Sequence, residues 1–220
     1  MVLSFFRRGE SGMEHVTATV VSMLGDARHE FDVASNAVFT GTDPELVADD
    51  IRDTDERINQ AELDLRRELV VHVAVQGTAD IGAVLGYTLL IKKVERIGDQ
   101  AKNIFDLAAE GVSLAGAADV GEFVEAQRAI STLLGDVAGL LTDPDEARLA
   151  EVRDRADQLR LAHEDRIREL VHSDEPGHYA VPRAMLHRYL KRIVANLAGI
   201  AVGISEPLPL TDDDTPETDD

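Results

Sequence analysis

Apolar residues recur every three or four positions through most of the chain, which is the spacing of one face of an α-helix. In the first half this pattern predicts three helices, at about 11–40, 44–75 and 80–110. Asp43 is expected to cap the second helix, with Pro44 in its first position. Three antiparallel helices can bury their apolar stripes only against one another, so the first half is predicted to form a three-helix bundle.

The same organisation returns in the second half. Thr142-Asp143-Pro144-Asp145 repeats Thr42-Asp43-Pro44-Glu45 after 100 residues, and Leu190-Lys191-Arg192-Ile193 repeats Val94-Glu95-Arg96-Ile97 after 96 residues. Such offsets indicate a duplicated unit. We therefore predict an all-α protein of two tandem three-helix bundles, at 11–110 and 116–205, followed by a disordered acidic tail at 206–220. The helices of the second bundle are expected at about 122–141, from the cap to 173, and 181–204.

Composition excludes several classes of function. The 220 residues include no Cys, which excludes disulfides, thiolate metal sites and cysteine nucleophiles. The formal net charge of −20 opposes binding to nucleic acid. Acidic residues are in excess and 18 of the 22 basic residues are Arg, a balance that indicates a halophilic, salt-accumulating source.

No apolar segment approaches the roughly 20 residues needed to span a bilayer, and the start of the chain does not fit a signal peptide. The protein is therefore expected in the cytoplasm. Phe5-Phe6-Arg7-Arg8 offers at most a weak contact with the inner face of the membrane.

The densest chemical signal lies in the third helix. Glu95 and Asp99 are four residues apart and so project from one helical face, and Asp55 and Asn59 have the same spacing on the second helix. Oxygen ligands from facing helices suit hard or borderline divalent cations. The plain alternative is a pair of surface ion pairs, because Lys92 lies three residues before Glu95 and Lys102 three after Asp99.

Other candidates are weaker. Glu169 and His172 have the carboxylate–imidazole spacing of di-iron bundles, but the chain lacks the second copy that such a site needs, which disfavours a ferritin-like oxidase. His72, on the apolar side of the second helix, is expected to be a hydrogen-bonded core histidine.

The segment Glu95-Arg96-Ile97-Gly98-Asp99, closing with Asn103-Ile104, resembles the third-helix signature of the PhoU family of phosphate-uptake regulators. Asp55-Glu56-Arg57-Ile58-Asn59 resembles the family's upstream aspartate motif, and Asp80 matches its usual aspartate before the third helix. The resemblance extends from about Met13 to Ile204 and is specific in the first repeat.

The resemblance implies a metal site at Asp55, Asn59, Glu95 and Asp99, holding iron, manganese, magnesium or zinc. Asn59 stands where the family has aspartate, so this site is expected to bind ions more loosely. No metal is expected in the second repeat, where Lys191 and Ala195 replace the acids. There Ala195, Gly199 and Gly203 form a small-residue stripe, expected to be a packing or partner surface, with simple core packing as the alternative.

The resemblance also implies a function. It predicts a non-enzymatic regulator that docks to a membrane phosphate transporter and, in many organisms, to a sensor histidine kinase, and a homodimer suits the apolar helix faces. The rival functions are an accessory subunit of another ion transporter, a metal-dependent enzyme or metal store, and a structural helical dimer without metal.

Overall fold

A computed structural model of the chain describes residues 13–77 and 80–205. This part contains six long helices and no strand: α1 (Glu14–Thr40), α2 (Ala48–Gln76), α3 (Ile81–Ala109), α4 (Val120–Thr142), α5 (Glu146–Val171) and α6 (Gly177–Ser205). The prediction of an all-α fold is confirmed. The predicted acidic tail, the Phe5–Arg8 segment and the predicted helix start at Ser11 lie outside the described residues.

The two halves of the chain share one hydrophobic core. Helix α1 packs against α2, α3 and α4, while α6 packs against α3, α4 and α5. Phe31 and Met23 of α1 and Phe123 of α4 are among the largest fully buried side chains. The three-helix units therefore contact each other through the α1–α4 and α3–α6 pairs.

The two repeated caps act differently. The Asp43 carboxylate accepts a hydrogen bond from the Glu45 amide at 3.0 Å, but it caps only a 3₁₀ turn, Pro44–Leu46. The long helix begins at Ala48, so its predicted start at Pro44 was wrong by one turn. In the second repeat the Asp145 carboxylate accepts from the Arg148 amide at 2.7 Å and caps α5 directly.

Helix α6 begins at Gly177, earlier than the predicted start near Val181. The amides of Tyr179 and Ala180 donate to the Pro176 carbonyl oxygen at 2.8 and 3.0 Å, which closes the first turn. Pro182 lies within the second turn, where it removes one backbone hydrogen bond. None of the helices in the described part is long and apolar enough to cross a bilayer.

Candidate functional site

The predicted acidic residues lie on the facing helices α2 and α3. Together with Glu62 of α2 they form a set that we call the acidic stripe: Asp55, Asn59 and Glu62 on α2, with Glu95 and Asp99 on α3. Their side chains are largely buried, since Asp55 is 15%, Glu62 9% and Glu95 11% exposed. Water therefore screens these carboxylates little, and each needs a partner within the protein.

Lys102 holds one end of the stripe. Its Nζ donates to Asp55 Oδ2 at 3.1 Å, and the Asn59 amide donates to the same oxygen at 3.3 Å. The hydrogen bond to Asp55 raises the pKa of Lys102 despite its partial burial. The spacing argument had paired Lys102 with Asp99, and that pairing is wrong because α2 brings Asp55 across the hairpin.

Lys92 holds the other end. Its Nζ lies 2.7 Å from Glu95 Oε2 and 3.6 Å from Glu62 Oε1, so it bridges α3 and α2. Glu62 also contacts Arg66 at 2.7 Å, one turn further along α2. The Lys92–Glu95 pair is the one that the spacing predicts, and the structure confirms it.

Asp99 lies between these two ends. Burial, and then repulsion from Glu95, raise the pKa of the Asp99 carboxyl, and Lys92 and Lys102 only partly offset them. Asn103 does not join the stripe, because its side-chain amide donates to the Asp99 backbone carbonyl at 2.7 Å.

Glu30 of α1 is a buried acid that the sequence reasoning missed. Its side chain is fully buried, and neither carboxyl oxygen has a hydrogen-bond partner within the described chain. Burial, followed by repulsion from nearby Asp55, raises the pKa of Glu30 to about 9. Glu30 is therefore a neutral carboxylic acid at pH 7.

Glu30 reaches α3 at the glycine of the family signature. A Cβ built on Gly98 would lie 3.2 Å from Glu30 Oε2 and 3.1 Å from Ile58 Cδ1. Gly98 thus leaves the space that the carboxyl group occupies. The sequence did carry a signal, because Glu30 falls on the apolar stripe of α1 that includes Met23 and Ala27.

In this structure the stripe is arranged as ion pairs and hydrogen bonds. Within the described ranges, no three His, Asp or Glu side chains converge as a metal site would require. The two lysines occupy carboxylate oxygens of Asp55 and Glu95, and the Asn59 amide nitrogen faces Asp55. The ligand set Asp55, Asn59, Glu95 and Asp99 stays a prediction.

In the second repeat the position that matches Glu95 carries the opposite charge, and the one that matches Asp99 is the uncharged Ala195. Lys191, which replaces Glu95, contacts Glu164 of α5 at 3.1 Å. The small-residue stripe contains a contact within the chain, since a Cβ on Gly199 would lie 2.6 Å from the Lys93 amine of α3. Gly203 has open space around it. At Gly199 the stripe serves helix packing.

Two histidines meet inside the second repeat. The Nδ1 atoms of His163 on α5 and His187 on α6 lie 3.1 Å apart, and both residues are buried. One ring must donate and the other accept, so the pair is stable only when at least one ring is neutral. Burial lowers the pKa of each histidine to about 4, so both are uncharged at neutral pH.

An ion pair joins the start of α4 to the start of α6. Arg183 donates to both Asp119 carboxylate oxygens, at 2.6 and 2.9 Å, and its guanidinium stacks 3.7 Å from the centre of the Tyr179 ring. The hydrogen bond from Arg183 lowers the pKa of Asp119. Short-range sequence patterns do not reveal this pair, because 64 residues separate its members.

His72 is hydrogen-bonded, as expected, but it lies at the edge of the core and is not fully buried. It is 15% exposed, and its Nε2 lies 3.0 Å from Asp80 Oδ2, across the α2–α3 hairpin. Asp80, the residue that matches the family's aspartate before the third helix, thus ties the start of α3 to the end of α2.

Two comparisons with known proteins found a match, one to part of the sequence and one to the fold. A family model described as the PhoU domain matches residues 20–108, which contain Glu30 and the whole acidic stripe. The crystal structure of PhoU from Pseudomonas aeruginosa superimposes with a TM-score of 0.75 at 22% sequence identity, covering 88% of this chain and 95% of that one. Among curated proteins, none matches the sequence. Residues 20–108 thus match the PhoU domain, and the chain has the fold of PhoU from Pseudomonas aeruginosa.

Proposed function

We propose that the protein is a non-enzymatic regulator of phosphate transport that acts by binding a membrane phosphate transporter. The observation that carries this proposal is the PhoU domain at residues 20–108, since the family is one of phosphate-uptake regulators. A sensor histidine kinase is the second proposed partner. A regulator of this kind works by binding one state of its partner more tightly than another.

An exposed apolar surface on the first repeat supports a binding role. We call it the hairpin face; it consists of Val70, Val71 and Val75 on α2, which are 70, 60 and 74% exposed, and Leu85 and Leu89 on α3, which are 49 and 54% exposed. Large aliphatic side chains grouped on a surface commonly mark a site of protein contact. We propose the hairpin face as the contact for the transporter.

The acidic stripe supports a structural role in this regulator. Lys92 bridges Glu62 and Glu95, while Lys102 joins α3 to Asp55, so the lysines cross-link the helices that carry the hairpin face. This arrangement disfavours the metal-store alternative, because a metal ion would have to displace both lysines. We accordingly expect Mn²⁺ to bind Lys92→Ala/Lys102→Ala more tightly than it binds the unchanged protein.

The proposal also covers the location and the oligomeric state of the protein. We place the regulator in the cytoplasm, at the inner face of the membrane, where its partner is embedded. We also propose that it works as a homodimer in a salt-rich cell, in keeping with the charge of −20 and the preference for Arg over Lys.

A membrane-binding assay tests the docking role. Purified protein is sedimented with inverted membrane vesicles from phosphate-starved and phosphate-replete cells, and with vesicles from a strain lacking the phosphate transporter. We expect saturable binding that requires the transporter and that Leu85→Glu/Leu89→Glu weakens at least tenfold.

The matched control for this assay is Leu161→Glu/Val181→Glu, which changes two equally exposed aliphatic residues of the second repeat. It should bind like the unchanged protein. Equal binding to vesicles with and without the transporter would contradict the proposal, and equal weakening by both double variants would remove the hairpin face from it.

A further inference from the structure

A groove of about 460 Å³ runs between α5 and α6, outside the family-matched part of the chain. Its polar lining comprises six side chains, which we call the cationic groove: Glu164, Arg168 and His172 from the α5 side, and Arg188, Lys191 and Arg192 from α6. Four cations and one acid give this surface the opposite charge to the protein as a whole.

Acids of the protein satisfy only part of this positive charge. Glu164 forms an ion pair with Lys191 at 3.1 Å and lies 3.8 Å from Arg168. Arg168 also pairs with Asp165 at 2.8 Å. Arg188 and Arg192 are exposed, and neither pairs with an acid in the part of the chain that the structure describes. Two guanidinium groups of the groove are therefore left available for an external anion.

At the corresponding positions of the first repeat, an acid offsets the positive charge. Its Lys92, Glu95 and Arg96 correspond to Arg188, Lys191 and Arg192, 96 residues later. In the first repeat the cation Lys92 lies against Glu95 and Glu62. In the second repeat the matching acid has become Lys191, which removes the partner and adds a charge.

The cations of α6 repel one another weakly when no ligand is bound. Arg188, Lys191 and Arg192 stand at positions i, i+3 and i+4 of one helix, where like charges repel. The α5 side adds Arg168 rather than a second acid to face them. A bound anion would remove this repulsion, since guanidinium groups form paired, charge-assisted hydrogen bonds with phosphate oxygens.

We propose that the cationic groove binds a soluble anion with two or more phosphate groups. The backbones of Arg188 and Arg192 are about 6 Å apart along α6, and Arg168 lines the groove from α5, so an anion with several phosphate groups can contact cations on both helices. The groove is also open, with exposed arginines, so its affinity depends on ionic strength. This inference stands on the second repeat alone and does not need the transport role.

Isothermal titration of the full-length protein with inorganic tripolyphosphate tests the proposal. We expect one site per chain, weaker binding as salt is raised, and binding of inorganic phosphate that is weaker than that of tripolyphosphate by at least tenfold. The variant Arg188→Gln/Arg192→Gln should lose at least tenfold in affinity, as expected when charge-assisted hydrogen bonds are removed.

The matched control is Arg128→Gln, which removes an exposed arginine of α4 outside the groove. It should bind tripolyphosphate like the unchanged protein. Thermal unfolding checks that both variants remain folded, as substitutions of exposed side chains should.

Three results of the titrations would overturn the proposal. They are the absence of saturable tripolyphosphate binding at low salt, equal affinity of the groove variant and the control, and equal affinity for phosphate and tripolyphosphate. Sedimentation with phosphatidylglycerol vesicles separates a lipid headgroup from a soluble ligand. Groove-dependent binding to these vesicles without binding to tripolyphosphate would also contradict the proposal.

Discussion

Replacing Glu30 by glutamine removes a titrating group from the interior while keeping nearly the same shape. Glu30 is fully buried against Gly98, and both of its carboxyl oxygens lack hydrogen-bond partners within the described residues. Its pKa is raised from 4.5 to about 9 in the folded protein. At pH 7 the folded state must therefore keep a proton that the unfolded chain releases.

The size of the effect follows from this difference in pKa. Each pH unit above 4.5 costs about 1.4 kcal/mol of folding free energy, which amounts to about 3 kcal/mol at pH 7. Because the folded pKa is the higher one, the contribution of Glu30 is fully present below pH 4.5 and is lost as pH rises towards 9. Glu30→Gln should thus be more stable than the unchanged protein by about 3 kcal/mol at pH 7.

Urea unfolding between pH 5 and pH 8 measures the difference. The stability gap should be below about 1 kcal/mol at pH 5 and widen steadily towards pH 8, while Glu125→Gln, an exposed control on α4, should show a small and constant gap. A destabilised Glu30→Gln at pH 7, or a gap that does not change with pH, would refute the reasoning. A gap that does not change with pH would mean that Glu30 carries no extra proton in the folded protein.

Three other variants test the remaining structure. His163 and His187 have pKa values of about 4 against an ordinary 6.5, so their contribution to folding stability is present above pH 6.5 and lost as pH falls towards 4. Relative to His163→Gln/His187→Gln, the unchanged protein should lose up to about 3 kcal/mol per histidine in urea unfolding over that interval. A constant difference would contradict burial of the pair. Gly86→Ala should gain about 1 kcal/mol of helix stability, because no atom lies within 4 Å of its Cβ position. Gly98→Ala should gain nothing, because its new methyl group meets Glu30 and Ile58. Equal melting temperatures for the two variants would argue against close packing at Gly98. Arg183→Met removes the cation that pairs with Asp119 and should cost about 2 kcal/mol in thermal unfolding. An unchanged melting temperature would show that the pair contributes nothing.

Local patterns predicted the helices because each one carries its own apolar stripe and turn signals. The Lys92–Glu95 pair was also predictable, since both residues lie on one helix three positions apart. Gly199 illustrates the limit: the small residue was visible in the sequence, but the Lys93 side chain above it comes from another helix.

The rest of the site depends on how helices pack. Lys102 contacts Asp55 rather than Asp99 because α2 lies beside α3 at that level. His163 and His187 meet only through the register of α5 against α6. Glu30 differs from these, because an acid within an apolar stripe is a visible anomaly, and its burial could have been inferred from α1 alone.

Phosphate uptake in a strain that lacks this gene tests the central claim most directly. Uptake and intracellular phosphate are compared at low and high external phosphate, with complementation by the unchanged gene and by Glu95→Ala/Asp99→Ala. A regulator of phosphate transport predicts that the deletion strain keeps taking up phosphate when it is plentiful, and that the unchanged gene restores control. Failure of the stripe variant to restore control would make the acidic stripe part of that control. Unchanged uptake in the deletion strain at both phosphate levels would contradict the account.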